Sequence, residues 1–236
     1  MKSSRIFVCL LLLFSSAVYA NAFEIKIDAE KDAYYNTLTG PEDGWIWIPS
    51  EAFNDNGPQP FDDIDLSANW YSAWDETYLY VYVEVSDDIV NQNHTTWWQN
   101  DCFDAKIDPD IFVDNTGEVF CFTMTCMDSI DVDESLWGGV RNLVETAGGG
   151  WTETERPTRE DYARKLTDEG YVLECRLMWE WVTTASKGPI YPEVGDVYGF
   201  AIMIHDNDHT GRQKSIEWAA RLMDQAWNNC YLHGYI

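Results

Sequence analysis

Basic side chains are scarce in this sequence. Its 236 residues include 15 Lys and Arg against 41 Asp and Glu, which gives a formal net charge of -26 at pH 7. Nucleic acids and anionic membranes carry phosphates that need a basic surface, and this chain would repel them. We therefore expect no nucleic-acid partner, and the charge leaves neutral ligands and divalent cations as candidates.

Long apolar runs are also missing, except at the start of the chain. Lys2 and Arg5 flank the beginning of an apolar run, Ile6 to Phe14, and small residues follow it. This order is typical of a secretory signal peptide, and the run is too short to span a membrane as a helix. We expect residues 1–20 to be a signal peptide and residues 21–236 to form one domain. The mature protein should be secreted, either extracellular or periplasmic, without membrane insertion.

Recognisable catalytic and cofactor motifs are absent as well. The sequence has no G-x-S-x-G nucleophile motif and no H-E-x-x-H metal motif, and none of its six cysteines forms a C-x-x-C pair. We therefore expect a noncatalytic protein that requires no cofactor. A hydrolase stays open as a rival, because Asp and Glu are abundant and two placed carboxylates can cleave a glycosidic bond.

Long helical periodicity does not occur, and strict alternation of apolar and polar residues takes its place. Five segments alternate in this way, and turn-forming residues separate them. Their apolar faces consist of Leu79, Val81, Val83 and Val85; Phe103, Ala105 and Ile107; Phe120, Phe122, Met124 and Cys126; Tyr171, Leu173, Cys175, Leu177 and Trp179; and Phe200, Ile202 and Ile204. Short strands with one apolar face predict an all-β fold, an antiparallel two-sheet β-sandwich of jelly-roll or immunoglobulin-like size. Few or no helices are expected beyond the signal peptide.

Two stretches and one cysteine pair give further structural expectations. Residues 129–159 are Gly-rich and aromatic, which predicts a surface excursion between strands. Residues 157–166, PTREDYARKL, are expected to form at most a short helix or an irregular segment. Five cysteines follow the signal peptide, and Cys102 and Cys121 share an outward face on strands that could be neighbours, so they are the first candidates for a disulfide.

Two adjacent tryptophans stand immediately before one of the predicted strands. If the alternation of that strand extends backward, Trp98 shares the outward face of Asp104 while Trp97 points inward. One ring would then pack in the core and the other would be presented to a ligand. The alternative is that both rings close the end of the sandwich as ordinary core residues.

Five segments of the chain resemble, in order, the blocks of the family 9 carbohydrate-binding modules and their DOMON-like sandwich relatives. They are AWDETYLYVYVEVSDD, WWQNDCFDAKIDPD, GYVLECRLMWEWV, GFAIMIHDND and AWNNCYLHGYI, and the resemblance extends from about Glu24 to the C-terminus. It implies noncatalytic binding of a mono-, oligo- or polysaccharide between two tryptophans, which match Trp98 and Trp227. It also implies a role in polysaccharide degradation, with a glycoside hydrolase as partner.

The resemblance carries over unevenly to the hydrogen-bonding residues around the sugar. Asp104 matches the family's acidic residue, whereas Cys121, Met203 and Asp224 stand where the family has Arg, Gln and Asn. A lost basic donor could be replaced by Arg212 or by the nearby Lys214. The candidate sugar contacts are therefore Trp98, Trp227, Asp104, Asp224 and Arg212.

Acidic clusters make calcium a candidate ligand. Three clusters offer the hard oxygen ligands that Ca²⁺ prefers, with Asp206 and Asp208 as the metal candidates, and the resemblance implies structural calcium in loops of such modules. The clusters are Asp62, Asp63 and Asp65; Asp87 and Asp88; and Asp206, Asn207 and Asp208. No segment fits the twelve-residue EF-hand pattern. Solvated acidic loops are the alternative in so acidic a chain.

The sequence leaves two other functions open. Some DOMON-like relatives bind b-type haem for electron transfer, and Met203 and His205 lie on one face of a predicted strand. Two ligands from one strand would crowd the same side of the iron, so a second strand would have to contribute. A structural or cell-surface interaction domain, with both tryptophans buried, is the other alternative.

Overall fold

The described part of the chain forms two facing antiparallel β-sheets. The computed structural model describes residues 24–52, 59–109, 118–126, 136–142, 151–153, 157–183, 188–218 and 234–235, with the backbone alone at 118, 136–142, 151–153 and 234–235. These residues contain twelve strands, five short 3-10 turns and no α-helix. The prediction of an all-β sandwich is confirmed.

The strands follow one another with short turns between many of them. They are β1 Trp45–Ile48, β2 Leu66–Trp74, β3 Tyr78–Asp87, β4 Cys102–Asp108, β5 Glu118–Thr125, β6 Leu136–Asn142, β7 Trp151–Glu153, β8 Tyr162–Thr167, β9 Gly170–Met178, β10 Gly199–Asp206, β11 Lys214–Trp218 and β12 Gly234–Tyr235. The first sheet has the order β1-β2-β3-β9-β8. The second has the order β11-β10-β4-β5-β6-β7, and β12 also pairs with β10.

The core lies between the two sheets and is built from the predicted apolar faces. Trp70 of β2 is fully buried at its centre. Its ring centroid lies 5.4 Å from that of Phe103 and 5.7 Å from that of Phe200, in edge-to-face geometry. Because side chains alternate along each strand, burying these rings turns the intervening polar residues to the outer faces of the sheets.

The segment 157–166 differs from its prediction. Residues Tyr162–Thr167 form β8, which pairs with β9 at the edge of the first sheet. Arg164 and Lys165 lie within it, and none of its residues is fully buried. Natural edge strands are often charged and little buried, so the alternating apolar signal that identifies inner strands is absent here.

Residues 129–159 also contain more regular structure than predicted. Residues 136–142 form β6 and residues 151–153 form β7, and both extend the second sheet beyond β5. The expectation of a surface excursion is therefore wrong for these two stretches. Gly138 and Gly139 occupy the centre of β6, so its side chains give no alternating pattern.

The proposed disulfide between Cys102 and Cys121 is not formed. Cys102 pairs with Thr125 across β4 and β5, whereas Cys121 pairs with Lys106. That register offsets the two cysteines by four residues along the ladder, or about 13 Å, which is too far for a disulfide. Cys102, Cys121, Cys126 and Cys175 are all buried free thiols.

The strand registers define two ends of the sandwich. At one end, which we call the acidic end, β3 finishes at Asp87, β4 starts at Cys102 and β10 finishes at Asp206. At the other end, which we call the cavity end, β2 finishes at Trp74 and β10 starts at Gly199. No helix in the described part of the chain is long and apolar enough to cross a membrane.

An N-terminal segment covers part of the outer face of the first sheet. Tyr35 is buried there, with its ring stacked on Tyr82 at a centroid distance of 5.4 Å. The backbone amides of Asp28 and Ala29 both donate to Oε2 of Glu174, at 2.9 and 2.7 Å. The segment from 25 to 38 therefore contributes a second apolar cluster that is separate from the main core.

Candidate functional site

Trp98 lies in a short turn at the acidic end of the sandwich. Residues Trp97–Gln99 form one 3-10 turn before β4 begins, so strand alternation does not extend back to the two tryptophans. The side chain of Asn100 is buried beneath the turn, and its Nδ2 donates to the carbonyl oxygens of His94 at 2.9 Å and Thr96 at 3.1 Å. The turn is thereby fixed, and the Trp98 side chain remains 40% exposed.

Arg212 lies over the ring of Trp98. Its guanidinium carbon is 5.5 Å from the ring centroid, within the range of a cation–π interaction. Its Nη1 is 3.3 Å from Nδ1 of His205 and 3.9 Å from Sδ of Met203, both on β10. Two predicted site residues, Trp98 and Arg212, are therefore in contact.

His205 gives the guanidinium a neutral neighbour. The imidazole is fully buried, and its Nδ1 lies 2.9 Å from Oγ of Ser215. Burial, together with the positive charges of Arg212 and Lys106, lowers the pKa of His205 well below its ordinary value. The ring is therefore uncharged at neutral pH and does not repel Arg212.

Asp104 lies on the outer face of β4, as its alternation predicted. Nζ of Lys106 donates to Oδ2 of Asp104 at 2.9 Å, and Sγ of Cys121 donates to Oδ1 at 2.7 Å. Asp104 is 8% exposed and Lys106 only 1%. Burial would lower the pKa of Lys106, but the Asp104 carboxylate raises it above its ordinary value, so the pair is ionic.

A row of mostly polar side chains crosses the outer face of the second sheet at the level of Asp104. Thr123 of β5 pairs with Asp104, Asp104 pairs with Met203 of β10, and Met203 pairs with Glu217 of β11. We call Asp104, Lys106, Thr123, His205 and Glu217 the polar face. Sequence reasoning did not select Lys106 or Glu217, although Lys106 shares the parity of Asp104 and could have been found from it.

Two of the predicted sugar contacts come from the C-terminal segment. Trp227 and Asp224 lie outside the described residues. The facing pair of indoles and the contact from Asp224 therefore stay predictions.

Three buried carboxylates meet at the acidic end. Oxygen atoms of Asp87, Asp101 and Asp206 all lie within 4.8 Å of one another. The backbone amides of Asn91 and Asn207 donate to Asp101. Burial is the largest cause that raises the pKa of each of the three carboxylates above its ordinary value. Ionising three neighbouring carboxylates in a buried site is energetically unfavourable. Their oxygen atoms are the ligands that a divalent cation such as Ca²⁺ prefers.

A second carboxylate group next to the first one contains a lysine. Asp65, Asp88 and Asp208 also lie within 4.8 Å of one another. Nζ of Lys214 is 2.5 Å from Asp65, 2.8 Å from Asp208 and 3.3 Å from Asp206. Asp206 belongs to the buried group and Asp208 to the second group, and the ammonium ion of Lys214 contacts both, Asp208 more closely. Lys214, a candidate sugar donor, is occupied by these carboxylates.

Comparison with known proteins identifies the family. A family model described as "Carbohydrate family 9 binding domain-like" matches residues 27–236. The chain belongs to this family. The match covers both sheets, the turn that carries Trp98 and the acidic end of the sandwich.

Individual relatives of this family 9 domain are distant. Endo-1,4-beta-xylanase A of Thermotoga maritima is 27% identical over 190 residues, and the match covers 80% of this chain but only 14% of the xylanase. A family 9 carbohydrate binding module from Caldicellulosiruptor kristjanssonii, solved with cellotriose, is similar with a TM-score of 0.57 and 20% identity over 90% of this chain and 88% of that one. The same TM-score and identity apply to its glucose complex, with 90% of each chain covered. At this identity the likeness to the solved structures concerns the fold.

Proposed function

We propose that this family 9 domain binds carbohydrate without catalysis, with a sugar ring stacked on the indole of Trp98. The position of Trp98 carries the proposal, because a large rigid ring stays 40% exposed beside a charged partner. The axial C–H groups make one face of a pyranose apolar, and an indole desolvates that face at little entropic cost. Arg212 covers one side of the ring, so the sugar stacks on the other.

Two charged side chains, Arg212 over the ring and Asp104 on β4, are the proposed hydrogen-bond partners of the sugar hydroxyls. The guanidinium of Arg212 offers several donors in one plane. Asp104 still has acceptor capacity beyond Lys106 and Cys121, because each carboxylate oxygen has two lone pairs. We assign Asp104 to the acceptor role and Arg212 to the donor role, in place of the arginine that the family has at position 121.

Trp227 is proposed as the second ring of the site, and Asp224 as a polar contact next to it. Support for both comes from the resemblance of the C-terminal segment to the last block of the family. Two facing indoles would desolvate a sugar ring on both sides, whereas one indole would hold it from one side only.

Short β-1,4-glucan fragments are the first ligands to test. The two solved relatives are complexes with cellotriose and with glucose, and the sequence relative is a xylanase. At roughly 0.3 kcal/mol per heavy atom, a disaccharide of about 23 atoms binds with about 7 kcal/mol, or on the order of 10 μM. We propose that the secreted domain holds a glycan near degradative glycoside hydrolases by weak, reversible attachment.

Calorimetric titration of residues 21–236 with glucose, cellobiose, cellotriose and xylobiose tests the proposal. Trp98→Ala should reduce the affinity of the best ligand at least tenfold and leave the thermal unfolding temperature nearly unchanged. Trp47→Ala is the matched control, because that indole is 43% exposed on β1 of the other sheet. Equal affinities for the two variants, or no binding of any glycan by the wild type, would refute the proposal.

The rival functions have separate tests. New reducing ends after incubation with polysaccharides would indicate a hydrolase, and a Soret absorption band would indicate haem. The surroundings of Met203 and His205 disfavour haem, because both side chains pack against the cationic Arg212.

We also propose that a structural Ca²⁺ binds between Asp87, Asp101 and Asp206. The three carboxylates come from the ends of strands in both sheets, so an ion there would tie the sheets together at the acidic end. It would supply the positive charge that stabilises the ionised carboxylates, and this role is structural because none of them contacts Trp98 in the described structure.

A further inference from the structure

A second concave site lies at the cavity end of the sandwich. A cavity of about 500 Å³ opens between the 3-10 turn Pro41–Asp43, the end of β2 and the loop that leads into β10. Its volume falls within the range of small-molecule sites. The proposed sugar site does not use this cavity.

The cavity is well separated from Trp98. Arg212, which lies over Trp98, contacts His205 near the last residue of β10, whereas Phe200 lines the cavity near the first residue of that strand. Phe200 and His205 are five residues apart on β10, which corresponds to about 17 Å at roughly 3.3 Å per residue. One ligand of disaccharide size cannot reach both places.

Aromatic and aliphatic side chains form most of the cavity wall. The aromatic residues that line it, together with the buried Leu79, are Tyr34, Trp74, Trp179, Tyr198 and Phe200. Nε1 of Trp179 donates to the carbonyl oxygen of Asp75 at 2.9 Å, which fixes that indole. Several rings around one space offer apolar contact and also attract cations through their π faces.

The charged lining of the cavity has one sign. Glu42, Asp43, Glu193 and Asp196 line it, and no Lys, Arg or His does. All four are exposed at the rim, and none forms an ion pair with a basic residue in the described part of the chain. Asp43 accepts a hydrogen bond from Thr39, and Asp196 accepts one from Tyr198. The carboxylates can accept hydrogen bonds from a ligand but can donate none to it.

We propose that this cavity binds an organic cation, namely an ammonium group carried on an apolar or aromatic body. The apolar walls take the body of the ligand, and the rings and rim carboxylates take its charge. An anion would be repelled by all four carboxylates. A neutral ligand of the same shape would gain the apolar contact but none of the electrostatic attraction.

A matched ligand series tests the proposal on the mature chain. Phenethylammonium, 2-phenylethanol and phenylacetate share one ring and one linker and differ in charge. Each is titrated into ¹⁵N-labelled protein, with the indole N–H of Trp74 and the amide of Gly195 as reporters, since both residues line the cavity. We expect phenethylammonium to bind at least tenfold more tightly than the alcohol, and phenylacetate to cause no shift at these reporters.

Variants separate the cavity from general attraction to an acidic protein. Glu42→Gln with Glu193→Gln should weaken phenethylammonium binding about tenfold and leave the alcohol unchanged. The control, Asp168→Asn with Glu169→Gln, removes the same charge from an exposed turn at the acidic end and should have no effect. Trp74→Leu should weaken both ligands, and retained circular dichroism would show that the variant is folded.

Three results would overturn the proposal. One is equal affinity for the alcohol and the amine, and another is an equal loss of amine affinity in both pairs of charge variants. The third is displacement of the amine by cellotriose at the Trp74 and Gly195 reporters, which would make the cavity a saccharide site. Trp98→Ala should leave amine binding intact, so failure of the sugar proposal would not affect this outcome.

Discussion

The guanidinium of Arg212 lies 5.5 Å from the centre of the Trp98 ring, and this contact joins two segments that are far apart in sequence. Arg212 is held from the other side by His205 and Met203 of β10. The indole therefore has a fixed, charged support at the acidic end of the second sheet.

Arg212→Ala should weaken glycan binding about tenfold, because it removes both the support of the Trp98 ring and the hydrogen-bond donors beside it. Arg212→Lys should recover only part of this loss, since an ammonium group lacks the planar fork of donors. Calorimetric titration with the best ligand of the panel measures both effects. Tighter binding by the alanine variant would instead mean that the guanidinium obstructs the ring.

Calcium should stabilise the folded protein through the buried carboxylates at the acidic end. At 100 times its dissociation constant the ion should add about 2.7 kcal/mol to the free energy of unfolding, and a chelator should reverse the effect. Asp206→Asn should abolish the response. Asp208→Asn is the control, because that carboxylate contacts the same Lys214 but lies outside the group of Asp87, Asp101 and Asp206. Differential scanning calorimetry with and without Ca²⁺ measures this, and an equal response of both variants would contradict the assignment.

Glu174 should make stability depend on pH. Burial raises the pKa of Glu174 to about 7, despite the amides of Asp28 and Ala29 that donate to it. Between the ordinary value of 4.5 and about 7 the folded protein therefore holds one more proton than the unfolded chain, so stability falls as pH rises. Glu174→Gln removes this dependence, and the variant should gain up to about 3 kcal/mol relative to the wild type across that window.

Urea unfolding of wild type and Glu174→Gln at several pH values measures the difference. Other buried acids titrate in both proteins, and their contributions cancel in the comparison. A constant difference between pH 4 and 8 would show that Glu174 does not titrate in this window.

Trp70 should dominate the core energetically. Trp70→Ala should lower the free energy of unfolding by about 3 to 5 kcal/mol, because it leaves a cavity among Phe103, Phe122 and Phe200. Trp70→Phe should cost much less. The indole Nε1 is buried without a hydrogen-bond partner in the described structure, so its removal forfeits no bond. Chemical denaturation measures both variants, and equal costs would contradict this account.

Inner strands could be predicted from the sequence, whereas edge strands could not. β3, β4, β5, β9 and β10 each turn one apolar face to the main core, and their two-residue alternation is visible in the sequence. β8 carries Arg164 and Lys165 at an edge, and β6 has two adjacent glycines, so neither shows that alternation. The alternation of apolar and polar residues arises because one face of a strand is buried. An edge strand buries less of its surface, so its sequence alternates less.

The candidate site was predicted in part. Asp104 was placed on the outer face by parity, and the structure confirms that placement. The parity argument for Trp98 was wrong in its premise, because a 3-10 turn precedes β4, although the ring is exposed as expected. The contribution of Lys106 was missed, since a lysine between two aspartates in an acidic chain gives no sign of being buried.

The sequence by itself determined the alternation that builds the sandwich, the shortage of positive charge and the family to which the chain belongs. Those properties are local or compositional, so they can be read without knowing which strands are neighbours. Only the tertiary structure decided that Asp87, Asp101 and Asp206 meet, that Arg212 lies over Trp98 and that aromatic side chains from separate segments line one cavity at the cavity end. Each of these contacts depends on strand order and register across two sheets, and pairing energies between distant segments set both.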